Sequence, residues 1–436
     1  MPTAHRHFLK SLAGAAALVI SPSIEAQVER ATRAMPVPRI KDIRVIECEP
    51  SGVRLSVVEI TTDQAGLYGY GCATFTQRAD LVKPAVELYL KPLLLNRTTD
   101  RIEDIWQTCY DSSYWKNGPV LNNAISGIDQ ALWDIKGRQA GLPVYQLAGG
   151  KCREAVDTYV HAGGADLHAV VEDAKRYVSQ GFRNVAVAGG QSAMANQGAN
   201  KPLSDKPLFV RPDNMRHTLK LLETCRQELG DEVGLMHDVH ERLTPNQAVN
   251  LCKQVEPLHM FFMEDPLSPE DLGYFRQIRE NCATPIAMGE LFNSPHEWQP
   301  LIEGRLIDYI RVHVSQAGGF SPARKIAILG EQYGVKTAWH GPRDVSPIGH
   351  MANITLDLVS YNFGVQECTF FDEKVQQIFS GCPEVKDGYL WVNEKPGWGI
   401  EIDKKEVAKY PFTSGRGNLN GGWGELRLRD GTVIKQ

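Results

Sequence analysis

Three short apolar segments, each closed by a carboxylate, recur at an even pitch in the middle of the chain: 234–238, 260–264 and 285–290. Their acids, Asp238, Glu264 and Glu290, are separated by 26 residues at each step. That pitch holds one strand, one helix and two loops, which puts each acid at the C-terminal tip of successive parallel strands. In a β/α barrel those tips converge on one face, the face that carries active sites. Three hard oxygen ligands meeting there, with no cysteine among them, describe a magnesium site. A lone strand-end acid is more often a helix cap or an ion-pair partner, but three at equal pitch are a catalytic arrangement. His240 lies two residues past Asp238. If the strand runs that far, alternation turns both side chains inward, and an imidazole there suits acid/base work at neutral pH. His237 should point the other way, into the helical layer.

Around this trio, apolar runs and amphipathic stretches alternate from Val156 onward. Candidate strands end near His161, Ala188, Asp238, Glu264, Glu290, Arg311, His340 and Glu367. Eight strands with interleaved helices predict an α/β fold, a parallel (β/α) barrel over 156–375 whose first or last helix is modified. Before it, 40–49, 55–62 and 67–75 alternate apolar and polar residues and read as a three-stranded antiparallel sheet. A helical region from about 79 to 140, closed by Gly141-Leu142-Pro143, completes an α+β capping domain over 38–151. The segment 376–436 is expected to return to that domain. The connection 189–212, rich in Gly, Asn, Ala, Ser and Gln, is too long for a simple turn and suggests a lid or a partner contact.

Bulk properties exclude more than they assign. A chain of 436 residues suits a barrel plus a smaller partner domain. With 42% hydrophobic and 23% charged residues and a net charge of −5, nothing points to nucleic acid or an anionic membrane. The nine cysteines are dispersed, with no Cys-x-x-Cys pair, and read as free buried thiols. Residues 1–26 have a charged start, a short apolar core from Leu12 to Ile20 and a small residue at Ala26. This is the layout of an export signal resembling the twin-arginine type, with His5 in place of the first arginine. It predicts a periplasmic or secreted protein, the alternative being a cytoplasmic one with an N-terminal tail. No other segment is long and apolar enough to span a bilayer.

Taken in order, Tyr114-Trp115-Lys116-Asn117-Gly118-Pro119, Asp238-Val239-His240, Glu264-Asp265-Pro266, Gly289-Glu290 and Trp339-His340-Gly341-Pro342 resemble the enolase superfamily. More narrowly, they are similar to its mannonate dehydratase and starvation-sensing (acid-sugar dehydratase) family, from about residue 38 to the end. The resemblance implies an enolase-type barrel with a capping domain, Mg2+ on Asp238, Glu264 and Glu290, and a homo-oligomer. It implies His240 as the catalytic acid/base and His161, Glu290, Arg311, His340, Asp344 and Glu367 around a small acid-sugar substrate. Read from the residues alone, His340 could be a second catalytic base or only a donor. His161 and Asp344 could lie behind the substrate contacts, and Arg311 and Glu367 could form a buried ion pair. The chain also departs from the family. Ala186 stands where active members have an arginine, 189–212 holds no tyrosine, Thr76 replaces an asparagine and Ile434 a tryptophan.

Three functions follow. The first is a Mg2+-dependent dehydratase that removes the C2 proton, passes through an enediolate and expels the 3-hydroxyl to give a 2-keto-3-deoxy acid. Without the arginine and tyrosine it would not dehydrate mannonate efficiently, and His240 would serve both steps. The second is an epimerase or β-elimination lyase on a uronate-containing sugar. The third is a non-catalytic acid-sugar binding or regulatory protein, since a fold does not dictate function.

Overall fold

The computed structural model describes residues 36–189, 211–415, 426–428 and 430–434. The leader at 1–26, residues 190–210 of the long connection and the 421–424 stretch fall outside the described residues, as do the side chains of Thr76 and Ile434. Among the described residues no helix is long and apolar enough to cross a membrane.

The capping domain begins with β1 (Ile40–Cys48), β2 (Leu55–Thr62) and β3 (Tyr68–Cys72), antiparallel in that order. The alternation of Ile43, Val45, Val58 and Ile60 buries one face under helices α1 (Ile102–Tyr110) and α2 (Pro119–Ala140). The second helix crosses β3 so closely that a Cβ on Gly71 would collide with the Gly127 carbonyl, which is why glycine sits there. The same helix reaches the barrel: Asp129 accepts from the Ser321 N–H at 2.9 Å, and the Trp133 indole donates to Ser321 Oγ at 2.9 Å.

The barrel runs β4 (Val156–Gly164), α3 (Leu167–Ser179), β5 (Asn184–Gly189), α4 (Arg211–Leu229), β6 (Gly234–Asp238) and α5 (Pro245–Gln254). It continues with β7 (Phe262–Glu264), α6 (Phe275–Asn281), β8 (Ile286–Met288), α7 (Pro295–Glu303), β9 (Tyr309–Ile310) and α8 (Phe320–Tyr333). The last part is β10 (Lys336–Thr337), α9 (Pro347–Val359), β11 (Gln366–Glu367) and the short α10 (Glu373–Ile378). The strands pair in parallel from β4 to β10, β11 pairs with β4, and a bridge from Thr337 to Phe363 closes the ring. Eight strands are present, and the modified helix is the last one, only six residues long. Several strands end earlier than their sequence patterns suggest: Glu290, Arg311 and His340 lie just past β8, β9 and β10. The ladder nevertheless continues, through Arg311 N–H to Met288 O at 2.9 Å and His340 N–H to Val312 O at 3.3 Å.

Strand alternation sorts the residues into two cores. Tyr159, Ala186, Met236, Phe262, Ala287, Ala338 and Val365 point inward and plug the barrel floor. Val187, Leu235, Met263, Ile286, Ile310 and Val312 point outward against the helices. Each large side chain so buried contributes about 1.5–3 kcal/mol. Past α10, the chain pairs its 384–386 and 389–391 hairpin antiparallel to β4 and then runs to the capping domain. There the Trp398 N–H donates to Asp134 Oδ1 at 2.8 Å and Tyr68 Oη to Glu401 at 2.6 Å.

Candidate active site

The inward residues one layer above the floor form the site. Asp238 and Glu264 are register partners on β6 and β7, and Glu290 follows Gly289 at the tip of β8. Gly289 has φ +139°, a conformation side chains rarely adopt, and that turn swings Glu290 into the ring. One oxygen from each of the three acids lies within 4.8 Å of the other two.

His240 is not placed by strand alternation, because β6 ends at Asp238. It sits in a left-handed turn, with φ +51° at His240 and +60° at Glu241. Asp238 folds the turn back on itself: Oδ1 accepts the His240 N–H at 2.8 Å, and Oδ2 lies 2.6 Å from His240 Nε2. The Glu241 N–H donates to Asp265 O at 2.9 Å, and Asp265 is itself at φ +40°. Each non-glycine residue in this region costs about 1–3 kcal/mol, a strain that functional sites tolerate.

The opposite side is an ion-pair relay. Arg311, 1% exposed, donates from Nε to Glu264 at 2.5 Å, from Nη2 to Glu367 at 3.1 Å and from Nη1 to the Ala338 carbonyl. Its guanidinium also lies 5.5 Å from the Tyr159 ring. Glu367 accepts in addition from the Gly341 N–H at 2.8 Å and meets His161 Nε2 at 2.7 Å. Arg311 and Glu367 thus form the buried pair their sequence context allowed, while His161 is half open to the cavity. His340 lies across the barrel from His240, its Nε2 3.3 Å from Glu290 and its Nδ1 2.9 Å from His313 Nδ1. Asp344 lines the cavity wall beside Pro342 and Arg343.

Burial shapes the charges. It pushes Glu264 up to about 8, helped by Asp238 and Glu367 against the pull of Arg311. Glu290 and Asp265 are driven well above the usual carboxylate range by burial and then by the neighbouring acids. Burial acts on Asp238 in the same direction, but the His240 imidazole outweighs it and holds the carboxyl down at about 2. Burial lowers His340 well below the usual imidazole value, and Glu367 is held low by His161 and Arg311 despite its burial. A crowd of acids that resist ionising together fits a hard divalent cation, which lets all of them lose their protons.

The cavity above the cluster measures about 1400 Å³ and is walled partly by capping-domain residues Pro50, Val53, Leu55 and Phe75. On β5 the wall is Ala186, Val187 and Ala188, all small or apolar, between His161 and Asp238. Where the family arginine would stand, Ala186 is buried and supplies neither charge nor a hydrogen-bonding group. Two residues with positions in the site escaped the sequence reading. His313 is one, although its spacing of two from Arg311 marks it as facing the same way beyond the end of β9. Asp265, buried behind Glu264 with Oδ1 accepting the Gly289 N–H at 3.2 Å, is the other. His237 turns outward and shares a 2.9 Å hydrogen bond with the Val187 carbonyl.

Comparison with known proteins agrees with this geometry. Residues 35–149 match the mandelate racemase / muconate lactonizing enzyme N-terminal domain, and residues 169–407 match the enolase C-terminal domain-like family. The D-galactonate dehydratase family member RspA of Pantoea ananatis is 46% identical over 90% of this chain and 98% of its own length. Member SEN1436 from Salmonella enteritidis is 45% identical over 91% and 98%. A crystal structure of an enolase from Pantoea ananatis with bound D-gluconate and Mg superposes with a TM-score of 0.86 at 44% identity, covering 92% of this chain and all of that one. A putative dehydratase from Mesorhizobium loti aligns with a TM-score of 0.74 at 26% identity, over 86% of this chain and 99% of that chain. The chain belongs to the enolase superfamily and, within it, to the D-galactonate dehydratase family of acid-sugar dehydratases.

Proposed function

We propose that the protein is a Mg2+-dependent hydro-lyase that converts a sugar acid to its 2-keto-3-deoxy product. The observation that carries the reading is the cluster of Asp238, Glu264 and Glu290, gathered within 4.8 Å beneath a cavity flanked by two histidines. Those three acids would hold magnesium, as the relative with D-gluconate and Mg suggests. The ion would bind the substrate carboxylate and spread the charge that develops when C2 loses its proton. His240, anchored to Asp238 beside the cluster, takes that proton and returns it to the 3-hydroxyl, which leaves as water. Arg311 and Glu367 keep Glu264 and His161 in place, and the capping loops exclude water. Ala186 offers no second base on β5, so both proton steps fall on the His240 side and efficient mannonate dehydration is not expected.

The test is incubation with Mg2+ and a panel of aldonic and uronic acids, including D-gluconate, D-galactonate and D-mannonate, with detection of 2-keto-3-deoxy acid. His240→Asn should lower the turnover of any accepted acid by about 10²–10⁴-fold while Mg2+ uptake persists. No product from any acid would sink the dehydratase reading. The placement of His240 and His340 beyond the ends of opposite strands, β6 and β10, favours epimerisation as the second reading; deuterium uptake at C2 without dehydration would select it. Acid-sugar binding without exchange or product, unaltered in His240→Asn, would select a non-catalytic binder.

A further inference from the structure

His313 belongs to none of the motifs above, and the proposed reaction does not use it. It lies two residues past Arg311 in the segment that follows β9, is only 5% exposed, and meets His340 Nδ1 to Nδ1 at 2.9 Å. The two rings lie 5.1 Å apart and tilted by 54°. His313 Nε2 is buried with no hydrogen-bond partner among the described residues.

A nitrogen–nitrogen contact of this length holds one hydrogen, so one Nδ1 donates and the other accepts. If His340 donated, neutral His313 would accept at Nδ1 and carry its own hydrogen on Nε2. That hydrogen would then be a buried N–H with no acceptor, and buried donors go unpaired less often than buried acceptors do. If His313 donates, its Nε2 is left as a bare lone pair, the lesser penalty. The second arrangement wins, and it decides the state of the partner. With Nδ1 of His340 occupied as an acceptor, the hydrogen of that ring must sit on Nε2, the nitrogen that faces Glu290 at 3.3 Å and the cavity.

We infer that His313 is a positioning residue that locks His340 in the Nε2–H form, making His340 a hydrogen-bond donor to the bound acid sugar and not a second base. No proton is transferred through the pair: in this state neither nitrogen of His340 has a lone pair free to take one. Base duty therefore stays with His240, and the chemistry is confined to one side of the substrate. The catalytic consequence rests on the dehydratase reading, but the lock itself does not.

The experiment uses the full chain with ring-15N histidine, metal-free and with Mg2+, and reads tautomers from long-range 1H–15N correlations. His340 signals are assigned by their loss in His340→Asn. The wild type should show His340 as a single Nε2–H form, and His313→Leu should turn it into a mixture with Nδ1–H. Geometry also separates two closer replacements. An asparagine amide can donate from the Nδ1 position, so His313→Asn should preserve the Nε2–H form. A glutamine amide reaches the Nε2 position instead, so His313→Gln should lose it. If His313→Leu fails to fold, the Asn and Gln pair carries the test alone. An Nδ1–H form of His340 in the wild type, or the same spectrum in the Asn and Gln variants, overturns the inference. Because the readout needs neither substrate nor turnover, its failure is distinguishable from failure of the proposed reaction.

Discussion

The two halves of the barrel mouth are both built from buried charged residues, to opposite ends. On the β9, β11 and β4 side, Arg311, Glu367 and His161 compensate one another at 2.7–3.1 Å and leave little charge to the cavity. On the β6 to β8 side, Asp238, Glu264, Asp265 and Glu290 face Arg311 and the His240 imidazole with a surplus of carboxylate. A balanced cluster holds itself together, and an overloaded one needs an outside cation. The difference separates scaffold from ligand set without recourse to any relative.

The sharpest way to break this contrast is to remove a carboxylate from the overloaded half. Glu290→Gln should abolish saturable Mg2+ uptake by calorimetric titration, together with any product formation, while the chain stays folded. Retained stoichiometric uptake would show that the trio is not the ligand set. Removing the hub of the balanced half should instead cost stability. Arg311→Met leaves Glu264 and Glu367 buried without their partner and should lower the unfolding free energy by about 3–5 kcal/mol in denaturant melts.

A pH series sharpens the same comparison. Burial pushes the Glu264 carboxyl of the metal-free protein up to about 8 from an ordinary 4.5, against the pull of Arg311. The folded state therefore binds more protons than the unfolded one across that window, so metal-free stability should fall as pH rises through it. Mg2+ held by Asp238, Glu264 and Glu290 would compete with the Glu264 proton, so its stabilising effect on the melting temperature should be small near pH 5 and grow toward pH 8. A shift independent of pH would contradict the charge surplus. The smallest effect belongs to a histidine beside the cluster but outside it. His237→Leu gives up one bond to the Val187 carbonyl, should cost about 1 kcal/mol, and should leave Mg2+ uptake unchanged.

The legible part of the site was the part that obeys a period. Asp238, Glu264 and Glu290 were readable because one βα unit separates each from the next, and the outward turn of His237 because alternation on a strand has period two. His240 obeyed no such period: its left-handed turn arises from hydrogen bonds to Asp238 and Asp265, one of them from a neighbouring strand. Arg311 had two readings, substrate contact or ion pair, and only the approach of Glu264 and Glu367 from 47 and 56 residues away decided between them.

By itself, then, the order of residues determined the capping sheet, the eight-stranded barrel and the three acids at its mouth, because local periodicity and repeat length are properties of a chain read in one dimension. Which acids are compensated, which nitrogen His313 offers to His340, and the left-handed turn that sets His240 against Asp238 were decided only by tertiary structure. Those depend on distances between side chains from different strands, and on burial that raises one carboxyl while a neighbour lowers the next.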